Sequence, residues 1–227
     1  MKKSVLKVQM FGAYSIEYEG KPISFERNTA TKTNQLMQIL LQAGEKGVAR
    51  AKLLSDLFGD EEMSNPANSL RATVFRLRRL LAAAGLPEDE YVTIRGGSYY
   101  WTSEIPYELD AHQFEELLKK AEKENDLEKK KSYIEEACEL YRGEFLPQLG
   151  AEEWAVVLNV YYKNLFSNAM RALCQILKDE KDYKKLYHCA EKAAIIYPLE
   201  DWQIWQMDSL IAVSYTHLRA HETPEHL

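Results

Sequence analysis

Residues 65–101 read NPANSLRATVFRLRRLLAAAGLPEDEYVTIRGGSYYW. At the start, Asn65 is a side-chain N-cap, and Pro66 takes the first helical position, where its missing N–H costs nothing. Gly85, followed two residues later by a proline, ends the helix. The segment therefore predicts a helix over residues 66–84.

Apolar residues in this helix recur at steps of four, three and four, which places them on one core-facing stripe: Leu70, Val74, Leu77 and Leu81. The opposite side carries Asn68, Ala72, Phe75, Arg76 and Arg79, with Arg71 and Arg78 on its flank. The helix has four arginines and no acidic residue, whereas solvated surface helices usually mix signs. A cationic rod of this kind fits the polyanionic groove of duplex DNA. A solvated surface helix is the alternative interpretation.

Two β-prone runs follow, at residues 91–94 and 99–101, around the turn Arg95-Gly96-Gly97-Ser98. A glycine pair can adopt the positive φ values of a tight hairpin turn. The sequence therefore predicts a β-hairpin wing over residues 91–101 with Arg95 at its tip. The single Arg-Gly-Gly, flanked by aromatic residues, differs from the arginine-rich disordered segments that bind RNA.

Upstream of the arginine-rich helix, three short runs have strand character, at residues 6–11, 14–18 and 22–25. Two further helices are predicted at residues 33–43 and 50–58, each with leucines on one face. Strands, three helices and a hairpin in this order describe an α+β winged helix-turn-helix. In that fold the third helix enters the major groove and the wing reaches phosphate or the minor groove.

From residue 107 onward the chain is nearly all helix, with helices predicted at 110–123, 127–141, 152–178, 182–196 and 200–212. Three alanines have the small-residue spacing of tetratricopeptide-like repeats, Ala190, Ala193 and Ala194. We expect an all-α tetratricopeptide-like helical-repeat domain, an architecture that binds partners on a concave face.

The net charge also changes sign between the two predicted halves of the chain, at about residue 107. Residues 1–106 carry 14 Lys/Arg and 12 Asp/Glu, a net charge of +2, whereas residues 107–227 carry 15 and 23, a net charge of −8. Screening over a Debye length of about 8 to 10 Å lets the local field of the arginine-rich helix govern binding. The sequence has neither a transmembrane run nor the apolar centre of a signal peptide, so we expect a cytoplasmic protein with no membrane partner.

These motifs, in this order, resemble two known modules. The runs Asn68–Arg71 and Val74–Leu81, leading to Thr93–Tyr99, are similar to the OmpR-type DNA-binding domain. The next segment, LDAHQFEELL at Leu109–Leu118, resembles the start of the bacterial transcriptional activation domain, a helical-repeat module. The pairing resembles the Streptomyces antibiotic regulatory protein (SARP) family of transcriptional activators over residues 5–212.

The resemblance implies a winged helix DNA-binding domain at residues 1–106 and a bacterial transcriptional activation domain at residues 107–213, which we expect to be truncated. Residues 214–227 lose the apolar periodicity and resemble vector or adaptor sequence, so we interpret them as a non-native tail. His217 and His221 within it have metal-ligand spacing, but we expect no metal site there.

The resemblance further implies a sequence-specific transcriptional activator whose recognition helix binds double-stranded DNA. The implied contacts are Arg71, Phe75, Arg76 and Arg79 in the groove, Arg78 on phosphate, and Arg95 on the backbone or minor groove; Asn68 lies on the same exposed face. Arginine suits these roles because its planar fork bonds guanine O6 and N7 together or clamps a phosphate. The sequence leaves open which arginine reads a base.

We expect a homodimer on DNA, because one recognition helix reads too few base pairs for genomic specificity. The helical domain then either mediates dimerisation or receives a signal. The acidic loop at residues 59–64 is either a contact for RNA polymerase or a solvated loop.

Two other classes of function stand beside the activator. The alternative is a helical-repeat protein-interaction adaptor with a weak or vestigial DNA-binding domain. An enzyme is disfavoured, because the sequence has no phosphate-binding glycine loop, nucleophile elbow or tight Cys/His cluster, and we expect no catalytic residue and no cofactor. The three cysteines are interpreted as buried thiols of helices, Cys138, Cys174 and Cys189.

Overall fold

The computed structural model describes residues 5–23, 30–59 and 65–221. The chain divides into two units. Unit 1 consists of Met1–Gln113 and Phe145–Val160, and unit 2 consists of Phe114–Glu144 and Tyr161–Leu227.

Unit 1 opens with a four-stranded sheet. Its strands are β1 (Leu6–Gln9), β2 (Ser15–Tyr18), β3 (Lys21–Ile23) and β7 (Tyr107–Leu109), in the order β3-β2-β1-β7. The first three strands are antiparallel and β7 pairs with β1 in parallel. The three predicted strands are confirmed, the first two in shortened form; the third begins at Lys21, and residues 24 and 25 of its predicted range lie outside the described residues. Strand β7 was not predicted, because its partner lies about a hundred residues away in the sequence and three residues carry no clear period.

The end of β1 is held by contacts from distant parts of unit 1. The Asp110 carboxylate accepts hydrogen bonds from the amides of Met10, at 2.8 and 3.0 Å, and Phe11, at 3.0 Å. Phe11 also forms an isolated bridge with Phe145, and the amide of Leu146 donates to the Met10 carbonyl at 2.8 Å. These contacts explain why residues 145–160 belong to unit 1.

The three helices and the second sheet of unit 1 follow in the predicted order. The helices are α1 (Lys32–Ala43), α2 (Arg50–Phe58) and α3 (Pro66–Ala83). The sheet contains β4 (Val48–Ala49), β5 (Val92–Arg95) and β6 (Ser98–Trp101), all antiparallel and in the order β4-β6-β5. The winged helix-turn-helix arrangement is therefore confirmed, with a short β4 that the sequence analysis did not predict.

The core of this winged domain forms where α1 packs against α3 and β6. The stripe predicted to face the core is buried: Leu70, Leu77 and Leu81 are fully inaccessible and Val74 is 8% exposed. Helix α1 meets it with buried leucines, among them Leu36 and Leu40. Apolar periodicity thus fixed which side of α3 faces inward and which side stays outside.

The second half of the chain is helical, as predicted. The helices are α4 (Asp110–Lys123), α5 (Leu127–Leu140), α6 (Glu153–Asp179), α7 (Tyr183–Ile196) and α8 (Trp202–His221). Four of them end within one residue of the predicted bounds, but α8 continues past the predicted end at residue 212. No proline or glycine occurs between residues 213 and 221, so nothing in the sequence stops this helix.

Unit 2 has an aromatic core joined by close helix packing. The rings of Tyr141 and Phe166 stack with centroids 4.2 Å apart, and Ala190 and Ala193 of α7 are fully buried. Helix α7 packs along α8. Small residues at these positions permit the close approach that the repeat-like spacing predicts.

The cysteines lie in this helical half, as predicted. Cys138 and Cys174 are buried and Cys189 is half-buried. Burial raises the pKa of the Cys174 thiol to about 12 and that of Cys189 to about 11. All three are therefore neutral thiols at physiological pH.

None of the helices in the described part of the chain is long and apolar enough to span a membrane.

Candidate nucleic-acid interface

Helix α3 begins with the capping arrangement that the sequence predicts. The Asn65 side chain accepts a hydrogen bond from the amide of Asn68 at 3.1 Å, and Pro66 is the first helical residue. The cap satisfies one of the amides that a helix start leaves without a partner. The helix start, and hence the position of Asn68, is held by local sequence.

The outer side of α3 is open to solvent. Its exposed residues are Asn68, Arg71, Phe75, Arg76 and Arg79, while Arg78 is half-buried. Phe75 is 61% exposed, which is unusual for a large aromatic side chain. The predicted exposure of these five residues is confirmed, whereas Ala72, predicted on the same side, is half-buried. Contact with DNA stays a prediction.

Phe75 and Arg79 form a pair on this face. The guanidinium carbon of Arg79 lies 5.9 Å from the centroid of the Phe75 ring, at the limit of a cation–π contact. Phe75 and Arg79 are one helical turn apart, so the pair is a local feature of α3. Arg79 remains exposed in this arrangement.

The charge of the outer face is not neutralised within the described residues. No carboxylate of the described ranges lies within 4.0 Å of the guanidinium groups of four exposed arginines: Arg71, Arg76, Arg79 and Arg95. The shared positive potential of such a face attracts an anionic surface. We therefore call Asn68, Arg71, Phe75, Arg76 and Arg79 the arginine face.

Arg78 has a different environment from these arginines. Its Nη2 donates a hydrogen bond to the carbonyl oxygen of Val92, the first residue of β5, at 2.7 Å. The same nitrogen lies 4.0 Å from a carboxylate oxygen of Glu90. These partners of Arg78 were not predicted, because they come from a segment more than ten residues away in the sequence.

The wing turn has the geometry that the glycine pair predicts. Gly96 has φ of 57° and Gly97 has φ of 79°, and the turn joins the paired residues Arg95 and Ser98. Two consecutive positive φ values characterise the two-residue hairpin loop whose twist matches that of the strands. Arg95 is exposed beside this turn.

Arg50 lies near the wing and was not among the predicted contacts. The amide of Arg50, at the start of α2, donates to the carbonyl of Gly97 at 3.0 Å, and the Arg50 side chain is exposed. This bond attaches α2 to the wing turn. Only a long-range contact shows this proximity, so no local pattern in the sequence signals it.

Asp89 organises the base of the wing. Its carboxylate accepts hydrogen bonds from the Ser103 hydroxyl at 2.8 Å and from the amides of Glu104 and Glu90 at 2.9 and 2.7 Å. Burial alone raises the pKa of this carboxyl, but the three hydrogen bonds outweigh it, and the pKa is lowered from its ordinary value. The ionised carboxylate thus ties the two ends of the hairpin together.

Three comparisons relate the chain to known proteins. Residues 109–216 match the family described as the bacterial transcriptional activator domain. Protein RcaC from Microchaete diplosiphon is 28% identical over 120 residues, which cover 49% of this chain and 18% of RcaC. A solved structure of Mycobacterium tuberculosis EmbR, in complex with a low affinity phosphopeptide, aligns with a TM-score of 0.59 and 15% identity.

These matches agree with the resemblance to SARP-type transcriptional activators. The EmbR alignment covers 93% of this chain and 58% of that chain, and at this identity it shows the fold alone. That fold is a winged helix followed by a helical-repeat domain, as the sequence predicts. The present chain spans 58% of the EmbR chain and 18% of RcaC.

Two predictions fall partly or wholly outside the described residues. The proposed polymerase contact at residues 59–64 lies outside them except for Gly59. The side chains of His217 and His221 also lie outside the described part. Within the described part, no three His, Cys, Asp or Glu side chains are arranged to hold a metal ion.

Proposed function

We propose that this chain is a sequence-specific DNA-binding transcriptional activator, with α3 in the major groove. The observation that carries the proposal is the arginine face, whose guanidinium groups are exposed and have no carboxylate partner among the described residues. An α-helix fits the major groove with one side, so the opposite side must pack against the rest of the domain and is expected to be apolar. The buried leucine stripe of α3 supplies that side.

Each side chain of the arginine face has a chemistry that suits the groove. Arginine bonds guanine O6 and N7 through two parallel hydrogen bonds, and asparagine pairs with adenine in the same way. We assign these roles to Arg76 and Asn68, with Arg71 and Arg79 on bases or phosphates. The exposed Phe75 ring is suited to contact a thymine methyl group.

The wing supplies the second contact in this proposal. Arg95 stands exposed beside the glycine turn, and its side chain is suited to the backbone or the minor groove. The backbone amide of Arg50 donates a hydrogen bond to the Gly97 carbonyl, so the main chain of a second residue with an exposed cationic side chain lies beside the turn. Phosphate contacts from the wing add affinity that does not depend on base sequence.

Partners and domain bounds complete the proposal. We propose a homodimer that binds a direct or inverted repeat and recruits RNA polymerase, since one helix contacts too few base pairs for specificity. Residues 1–106 are proposed as the DNA-binding domain and residues 107–213 as the activation domain, which either mediates dimerisation or receives a signal. The family match at residues 109–216 supports the second assignment.

Selection of bound fragments from a random duplex pool tests the proposed function. We expect enrichment of a site with two similar half-sites, at a spacing set by the protein dimer. The matched control is a triple variant, Arg71→Gln, Arg76→Gln and Arg79→Gln, which keeps polar side chains, removes the three charges and should enrich nothing. If the parent enriches no sequence, or the triple variant enriches the same one, the proposal fails; the first result favours the adaptor.

A further inference from the structure

Arg78 differs from the other α3 arginines in having an acceptor within the protein. Its Nη2 binds the Val92 carbonyl at 2.7 Å, whereas Arg71, Arg76 and Arg79 have no hydrogen bond to a described residue. The Arg78 side chain is 41% exposed, and its Nε is buried. Its guanidinium is therefore attached to the start of the wing.

The Val92 carbonyl needs such a donor because it lies at a sheet edge. Strand β5 is at the edge of the sheet β4-β6-β5, and Val92 itself is fully buried. The amide of Thr102 donates to the Tyr91 carbonyl on the β6 side at 3.0 Å. Carbonyls of adjacent strand residues point to opposite sides, so the Val92 carbonyl points away from β6. Arg78 thus donates to a carbonyl that no strand of the described residues reaches.

The bond between Arg78 and Val92 joins the two elements that the proposed function requires. Arg78 belongs to α3, and β5 carries Arg95 at its far end. A charge-assisted hydrogen bond is stronger and shorter than a neutral one, and the planar guanidinium restricts its direction. Such a bond fixes the angle at which the hairpin leaves the helix.

We propose that Arg78 is a positioning residue that holds the wing in a fixed orientation to α3, in place of the phosphate contact that the sequence predicts. The inference rests on the proposed DNA-binding function. Arg78 then acts on DNA through Arg95, because the orientation of β5 decides where the Arg95 guanidinium lies.

Amide hydrogen exchange in the DNA-free protein tests the first part of this proposal. Arg78→Met keeps the aliphatic stem and removes the donor, so exchange at β5 and β6 should accelerate by about tenfold. Arg78→Lys keeps one donor and should accelerate exchange less. Arg79→Met is the matched control, one residue away, and should leave the wing unchanged. Equal wing exchange in Arg78→Met and the parent overturns the proposal.

A double-mutant cycle on DNA tests the second part. In the parent, Arg78→Met should weaken binding to a selected duplex several-fold, but in an Arg95→Ala background it should have little further effect. Arg79→Met combined with Arg95→Ala should be additive. Additive effects of Arg78→Met and Arg95→Ala identify Arg78 as an independent phosphate contact and overturn the proposal. If the parent binds no duplex, the proposed function fails, while the exchange experiment still decides whether Arg78 fixes the wing.

Discussion

Arg76 is the side chain of the arginine face on which base recognition most depends. It lies between Arg71 and Arg79 along the helix, is exposed, and has no described partner to compete with DNA. A side chain without an internal partner gives up no protein contact when it binds a base. Its removal therefore reports the lost DNA contact with little structural disturbance.

We predict that Arg76→Ala weakens binding to the selected duplex by about 1 to 3 kcal/mol, roughly 5- to 150-fold, and relaxes the preference at one base position. Fluorescence anisotropy titration with the selected duplex and single-base variants measures both effects. Lys120→Ala, an exposed cation of α4, is the control and should bind as the parent does. Equal affinity of Arg76→Ala and the parent would remove Arg76 from the interface.

Leu77 is the inward counterpart of Arg76. It is fully buried at the centre of the α3 stripe, so Leu77→Ala leaves a cavity that the core only partly closes. We expect the free energy of unfolding to fall by about 2 to 5 kcal/mol in urea denaturation followed by circular dichroism. Leu127→Ala, at a 55% exposed leucine, should change it little. A loss of the same small size in both variants would show that α3 is not anchored by this stripe.

At the scale of elements, the wing depends on its turn. Both turn glycines have positive φ values, which cost a residue with a Cβ about 1 to 2 kcal/mol, and more if it is β-branched. No heavy atom lies within 4 Å of a Cβ built on Gly97, so backbone strain alone decides the effect there. Substitutions at Gly97 therefore separate strain from steric overlap.

We predict that Gly97→Val weakens DNA binding and speeds amide exchange in β5 and β6, whereas Gly97→Asn, which tolerates this conformation, has a smaller effect. NMR measurement of amide exchange in the free protein checks the effect on the wing. Binding titrations with the selected duplex check the effect on DNA affinity. Similar behaviour of the two variants would contradict a strained turn at Gly97.

Asp89 makes the base of the wing sensitive to acid. Its pKa is lowered in the folded state, so its contribution to stability is present above the unfolded pKa of about 3.9 and is lost as pH falls through the folded value. We predict that Asp89→Asn reduces stability by about 1 kcal/mol at pH 7, with the difference vanishing in strong acid. Urea denaturation at several pH values measures this difference in the free energy of unfolding. Glu88→Gln, at an exposed neighbouring residue, is the control. A difference that grows toward low pH contradicts this assignment.

Elements with a local period could be predicted from sequence, and contacts between distant segments could not. The stripe of α3, its Asn65 cap and the glycine turn are each set by residues within a few positions of one another. Strand β7 pairs with a strand about a hundred residues earlier, and Arg78 meets Val92 across the loop that joins α3 to β5. A helical wheel gives the direction of a side chain but not the partner it meets, which is why Arg78 was assigned with the exposed arginines.

At the scale of the whole molecule, the net charge of the chain and the charge of its proposed DNA-binding face have opposite signs. The chain carries a net charge of −6, yet the arginine face is cationic over one side of α3. Salt confines each field to about 8 to 10 Å, so the charges nearest the groove contact govern it more than the net charge of the chain does. Binding should therefore be strongly salt-dependent in spite of the acidic composition.

The salt dependence of binding to the selected duplex tests the central claim most directly. With Arg76 assigned to a base, the three other exposed arginines, Arg71, Arg79 and Arg95, predict a slope of about −2.7 per protomer in a plot of log affinity against log salt, at about 0.9 per phosphate contact. The triple variant Arg71→Gln, Arg76→Gln and Arg79→Gln should bring the slope close to about −0.9. A parent slope near zero, or one that the triple variant leaves unchanged, would contradict the assignment of the arginine face to DNA.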